Sequence, residues 1–167
     1  MSIPWRKRGD FQEAAGFLER VDRARGRELD PVRDLALEIQ SCFDWMSDGM
    51  ESLCGLTCPG CRDNCCKRAT IWYDFRDMLY LYFSSDGMPE SQLEKSPGPS
   101  GVRCANLKAS GCALPRRRRP FVCTWYFCPA QKVLPAYTHL NEIILRIKQM
   151  RVQMENEFCR ITSGRPS

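Results

Sequence analysis

Nine of the eleven cysteines of this 167-residue chain fall between residues 54 and 128, and five of them lie in the thirteen residues CGLTCPGCRDNCC, Cys54 to Cys66. Such density restricts the chain to a disulfide framework, a dithiol centre or a set of metal ligands, and the compartment decides among them. The N-terminus, MSIPWRKRGDFQEAA, carries basic residues with no apolar run behind them, and no later segment approaches the roughly 20 apolar residues that span a bilayer. A cytoplasmic location with no membrane association is therefore expected. Thiols there stay reduced, which turns the cluster toward metal binding or redox chemistry, and the odd cysteine count agrees.

The remainder of the chain has ordinary globular composition, 43% apolar and 27% charged, and its length suits one domain with its own core. Asp10 and Glu13 have capping-box spacing ahead of Phe11, Ala14, Ala15, Leu18 and Val21, which predicts a helix over 11–25 that Gly26 stops. Asp30 and Pro31 then open a second helix with the stripe Val32, Leu35, Ala36, Ile39, Phe43 and Met46, expected to pair antiparallel with the first. Cys42 on that stripe reads as a small core residue. Leu140, Ile143, Ile144, Ile147, Met150, Met154 and Phe158 predict a long helix from near Thr138. Between these lie a knuckle-like loop over 54–66, a short strand in ATIWY, a helix FRDMLYLYF capped by Asp74, and a linker over 84–101. Trp72, Tyr73, Phe75, Tyr80, Tyr82 and Phe83 are core candidates.

A C-x2-C pair in a turn lets two sulfurs converge on one ion, and Cys58-Pro-Gly-Cys61 has that spacing. Cys65 and Cys66 follow, and Cys104, Cys112, Cys123 and Cys128 add four sulfurs some forty residues on. Local pairs joined to distant ones would staple two segments through a metal. Adjacent side chains in an extended chain point to opposite sides, so Cys65 and Cys66 are expected not to serve the same ion, unless a multi-iron cluster accepts them on different atoms. The one histidine, His139, reads as a helix-start or surface residue, which leaves an all-thiolate site: structural zinc, or an iron–sulfur cluster able to carry electrons. The formal charge of +5 counts thiols as neutral; eight thiolates holding two divalent ions would lower it to about +1.

The order Cys58, Cys61, Cys65-Cys66, followed by CANLKASGCALPRRRRPFVCTWYFC, resembles the YkgJ-type cysteine-cluster family, a zinc- or iron-chelating CxxCxxCC domain. The likeness spans about residues 54–130, its more specific half being Cys104 and Leu107, Gly111-Cys112 with Leu114, Arg119-Pro120 before Cys123, and Cys128. The strand and Asp74 helix after the double cysteine also fit that layout. Two departures stand out. One extra residue separates Cys61 from the pair, leaving open whether Cys54 or Cys58 is the leading ligand, and Thr124 stands where the family often has arginine. The resemblance implies a chelating domain with up to eight cysteine ligands. Some of its members are described as flagellin lysine N-methylases, but the chain has no G-x-G-x-x-G nucleotide loop.

Arg116 to Arg119 form the strongest charge run. It can be a solvated loop, an offset to nearby thiolate charge, with Arg119 the best cofactor contact, or a phosphate-binding patch. Trp125, Tyr126 and Phe127 are expected to pack over the sulfurs rather than stack on bases. The CPGC stretch lacks the βαβ setting of a thioredoxin-like enzyme.

The expected fold is mainly α with a small irregular, short-β, cysteine-rich metal-binding centre. It is a single domain: a helical hairpin over 1–53, a cysteine-cluster region over 54–130, and a C-terminal helix and tail over 131–167. The expected function is chelation of an iron–sulfur cluster or zinc by Cys58, Cys61, Cys65, Cys66, Cys104, Cys112, Cys123 and Cys128, with a redox or metal-handling role and a redox protein as partner. Nucleic acid is not the expected partner. A zinc-stabilised interaction or nucleic-acid module, and a cluster-dependent redox or methyl-transfer enzyme, are the alternatives.

Overall fold

The structure, a computed structural model, describes residues 4–59, 61, 65–68, 70–98, 101–108 and 111–164. These form helices α1 (Arg8–Arg25), α2 (Asp30–Thr57), α3 (Cys65–Arg68), α4 (Phe75–Phe83), α5 (Val122–Trp125), α6 (Pro129–Lys132) and α7 (Ala136–Thr162). Short strands β1 (Lys95–Gly98) and β2 (Gly101–Cys104) pair antiparallel, as do β3 (Leu107–Lys108) and β4 (Gly111–Cys112). The protein is mainly helical, as expected. No helix among the described residues is long and apolar enough to cross a membrane.

The core is the seam between the two long helices. Val32, Ala36, Ile39, Phe43 and Met46 are buried on α2, and Met50 and Leu53 continue the stripe. Leu140, Ile144, Ile147, Met150, Met154 and Phe158 are buried on α7, the main partner of α2. Burying each such side chain contributes roughly 1.5 to 3 kcal/mol, so this seam dominates the stability of the molecule. A Cβ on Gly49 would lie 3.2 Å from Leu140 Cδ2, which marks how closely the two helices approach. Cys42 is half-buried and packs against this core.

Five local expectations change, the last of them at the segment before α4. The first helix starts at Arg8 behind Lys7, without a side-chain cap; Asp10 falls inside the first turn, where its charge faces the positive end of the helix. The partner of the α2 stripe is α7 rather than α1, because the α7 stripe offers a longer matching face; α1 rests on α4 and α7. The glycines and proline over 54–66 do not start a loop at Cys54. Helix α2 runs on to Thr57, since Leu53 is still held in the core and Gly55 needs no packing partner. Strands β1 and β2 occupy part of the segment expected to be linker.

Asp74 caps α4 as expected, and the cap is reciprocal. Its carboxylate accepts from the Asp77 N–H at 2.8 Å, while the Asp77 carboxylate accepts from the Asp74 N–H at 3.0 Å. The stretch before it is not a strand. Among the described residues 70–74 pair with no neighbouring strand; instead the buried Gln92 amide serves Tyr73, accepting its N–H at 2.8 Å and donating to its carbonyl at 2.7 Å. The same amide nitrogen donates to the Pro4 carbonyl at 3.1 Å. Gln92→Leu therefore strands two buried backbone groups, and urea denaturation should show a loss of about 2 kcal/mol or more, with Gln92→Glu partly retaining the contacts.

Candidate metal centre

Two groups of thiols form, one at the C-terminal end of α2 and one where α3 packs against β2. The first starts on α2. Cys54 and Cys58 are four residues apart, so helical geometry places both sulfurs on one face, and the Cys58 N–H donates to the Cys54 carbonyl at 2.8 Å. The two thiols are hydrogen-bonded, and Cys65 lies close enough to act on Cys58 electrostatically. Burial, then the neighbouring Cys54, pushes the Cys58 thiol up to about 11. Cys128 joins through Gln131. It caps α6, its N–H donating to Gln131 Oε1 at 3.1 Å, and Gln131 Nε2 reaches Thr57 Oγ1 at 3.2 Å and Cys54 Sγ at 3.8 Å.

The second group gathers around Cys123. Strand β2 ends on Cys104 and packs against α3, which carries Cys66; β4 ends on Cys112, paired with Leu107 of β3; and α5 carries Cys123. Gly111, with φ +113, makes the backbone turn into Cys112 that a side chain would resist. Cys112 and Cys104 both act on Cys123, and burial followed by these neighbours pushes its thiol up to about 12. Cys66 feels Cys123 and Cys112, and its thiol is pushed well above the usual range, first by a hydrogen bond with Cys65 and then by burial. Four sulfurs from three separated segments thus share one neighbourhood. The vicinal pair straddles the groups: Cys65 acts on Cys58, and Cys66 on Cys112 and Cys123.

Cys61 is exposed, and its N–H donates to the Cys58 carbonyl at 3.1 Å. Its neighbours at 60 and 62–64 lie outside the described residues.

The arginine run is not a solvated loop. Arg116–Arg118 form a 3-10 turn against α2, and the Arg116 side chain, only 2% exposed, donates to Glu51 at 2.8 and 3.1 Å and reaches Cys54 Sγ at 3.8 Å. Arg119 pairs with the same Glu51 at 2.9 Å, donates to the Leu114 carbonyl at 2.8 Å, and stabilises negative charge on Cys123. Arg117 bridges Asp86 at 2.7 Å and Asp44 at 3.4 Å. One arginine therefore faces each thiol group, Arg116 toward Cys54 and Arg119 toward Cys123. Sequence reasoning selected only the second, because nothing in RRRR says which guanidinium turns inward.

A buried ion pair fixes the segment that carries Cys123. Arg151 of α7, only 3% exposed, donates to Asp77 Oδ1 at 2.6 Å and Asp74 Oδ1 at 2.8 Å, and lies over the Phe121 ring at 4.6 Å. Asp77 Oδ1 also accepts the Phe121 N–H at 3.0 Å. Burial pushes the Asp77 carboxyl up, and Arg151 opposes that shift by favouring the carboxylate. Neither residue was chosen from the sequence. The signal was an arginine inside the α7 stripe, four residues after Ile147 and three before Met154, where an apolar residue would be expected.

Of the aromatic trio, only Phe127 is buried, edge-on to Tyr137 at 5.0 Å; Trp125 and Tyr126 are about half exposed and do not seal the sulfurs. His139 is exposed at the start of α7, against Trp45 at 4.5 Å, as expected.

The thiols offer a soft, all-sulfur set of the kind zinc and iron–sulfur centres use. Among the described residues, however, no three histidine, cysteine, aspartate or glutamate side chains already converge on a common point suitable for an ion. The Thr124 hydroxyl, next to Cys123, is fully buried and lacks a hydrogen-bond partner among the described residues, which suits a donor to a thiolate sulfur. No family model, curated protein or solved structure matches the chain.

Proposed function

We propose that this protein chelates metal through all-cysteine ligation, as zinc or an iron–sulfur cluster. The observation that carries the reading is the meeting of Cys66, Cys104, Cys112 and Cys123 from three separated segments in one partly buried neighbourhood. Cys54, Cys58 and Cys65, completed by Cys61 or Cys128, form the second set of ligands. On this reading the ligands are those that the resemblance to the YkgJ-type cysteine-cluster family implies, with Cys54 added. Arg119 offsets thiolate charge at the first set and Arg116 at the second. When bound, a cluster would supply electron transfer, whereas zinc would be structural. The pairing of Arg116, Arg117 and Arg119 with carboxylates removes them from a phosphate-binding role and weighs against the nucleic-acid reading.

Protein purified without oxygen should contain tightly held metal. Iron with matching acid-labile sulfide identifies a cluster and directs attention to redox partners; zinc without sulfide identifies a structural chelate. Metal-free protein that takes up neither zinc nor a reconstituted cluster would overturn the reading. Paired substitutions then separate the sets: Cys66→Ser with Cys112→Ser should remove one share of the metal, and Cys54→Ser with Cys58→Ser the other.

A further inference from the structure

Gln131 is a buried amide that serves the thiol group at the end of α2 from two sides. It lies on α6, a single turn opened by Pro129, and is 6% exposed, so its polar atoms have to find partners inside the molecule. Its Oε1 accepts the Cys128 N–H at 3.1 Å. Its Nε2 donates to Thr57 Oγ1 at 3.2 Å and reaches Cys54 Sγ at 3.8 Å. The Thr57 hydroxyl gives its own proton to the Leu53 carbonyl at 2.8 Å, so toward Gln131 it is an acceptor and orients the amide with its nitrogen facing α2. One side chain thus spans Cys128, on the segment after α5, and Cys54, far from it along the chain.

Cys54 Sγ collects a second donor from another segment. Arg116 Nη2 lies 3.8 Å from it, on a side chain that is 2% exposed and held by Glu51 at 2.8 Å. A thiol sulfur is a weak acceptor, and two buried N–H donors, one of them cationic, are poorly matched by it. A metal-bound thiolate carries the negative charge that both donors answer. Of the two residues that can complete this set, Cys61 is exposed and meets it through its backbone N–H on the Cys58 carbonyl. Cys128 is half-buried and is held by the same amide that reaches Cys54.

Resting on the chelation proposed for this set, we infer that Gln131 is its positioning residue: the amide holds Cys128 to Cys54, making Cys128 the ligand that completes the set, and supplies with Arg116 an N–H to the Cys54 thiolate. Contacts of this kind behind a ligand fix its orientation, and losing one costs roughly 10- to 100-fold in metal affinity.

Cobalt(II) added without oxygen to the metal-free full chain tests this, because each thiolate bound to cobalt adds sulfur-to-metal charge-transfer absorption. A background carrying Cys66→Ser and Cys112→Ser removes the other set from the signal. In that background Cys128→Ser should remove about a quarter of the charge-transfer intensity, one thiolate of four, and Cys61→Ser none. Gln131→Leu should weaken cobalt binding about tenfold or more and move the charge-transfer band to lower energy, since a thiolate relieved of an N–H donor gives up its electron density more readily. Gln131→Glu keeps the acceptor for the Cys128 N–H and loses the donor to Cys54, so it should move the band as well. A purely structural Gln131 would lower the melting temperature of the metal-free variants and leave the band in place. Absence of cobalt binding by the unsubstituted protein overturns the chelation and this inference with it. Where the unsubstituted protein binds cobalt, no binding in the background, an unmoved band in both Gln131 variants, or loss of the thiolate on Cys61→Ser instead of Cys128→Ser overturns this inference alone.

Discussion

Serine in place of Cys123 should strip the protein of metal more completely than any other single substitution, lowering affinity by more than about 100-fold. Loss of a hydrogen bond behind a ligand already costs 10- to 100-fold, and here the ligand itself is replaced by a hydroxyl poorly suited to soft ions. Cys123 is the thiol on which Cys104 and Cys112 both act and which itself acts on Cys66, and burial followed by Cys112 and Cys104 pushes it up to about 12. Because metal affinity is folding free energy in such sites, thermal stability should fall with metal content. Cys42→Ser and Cys159→Ser are the controls: the first lies on the α2 seam and the second is exposed near the end of α7. Metal analysis and melting on the three variants decide the matter, and equal loss in all three would show that the ligands are misassigned.

Arg151→Met should cost about 3 to 5 kcal/mol, the largest effect outside the ligands, because it leaves the buried Asp77 carboxylate without its cation. Asp77 would retain the Asp74 and Phe121 N–H donors, yet lose the guanidinium at 2.6 Å. Adding Asp77→Asn should recover part of the loss, since an apolar–amide pair is less costly than a lone buried charge. Denaturation in urea gives the coupling energy from the four proteins. The Phe121 N–H tied to Asp77 sits two residues before Cys123, so metal retention should fall in Arg151→Met as well. Unchanged stability in the single variant would mean that the pair is not the brace described above.

The long stripes of α2 and α7 and the Asp74 cap were legible in the sequence because each depends only on local periodicity or a three-residue spacing. What eluded the sequence depends on partners distant along the chain. The segment ending at Tyr73 looks like a strand, and its backbone is indeed paired, but by a glutamine side chain nineteen residues away. Spacing identifies eight or nine cysteines as candidate ligands without saying how they divide. The division follows from α3 packing on β2 and from α2 continuing past Leu53, and neither is written in cysteine spacing. The cations opposite Glu51 and Asp77 could not be singled out for the same reason: an arginine is polar by composition and becomes a core residue only where a carboxylate waits.

Helix α2 has a mechanical consequence. It runs 28 residues without a break, roughly 42 Å, from the turn after α1 to Cys58, and its middle is locked into the α7 seam. Cys54 and Cys58 therefore ride on the tip of a stiff rod, while Cys104 and Cys112 sit on two separate short ladders. Any sliding of α2 along α7 carries the first two sulfurs with it and leaves the strand-borne pair behind. The distance between the two thiol groups is thereby tied to the register of the helical seam.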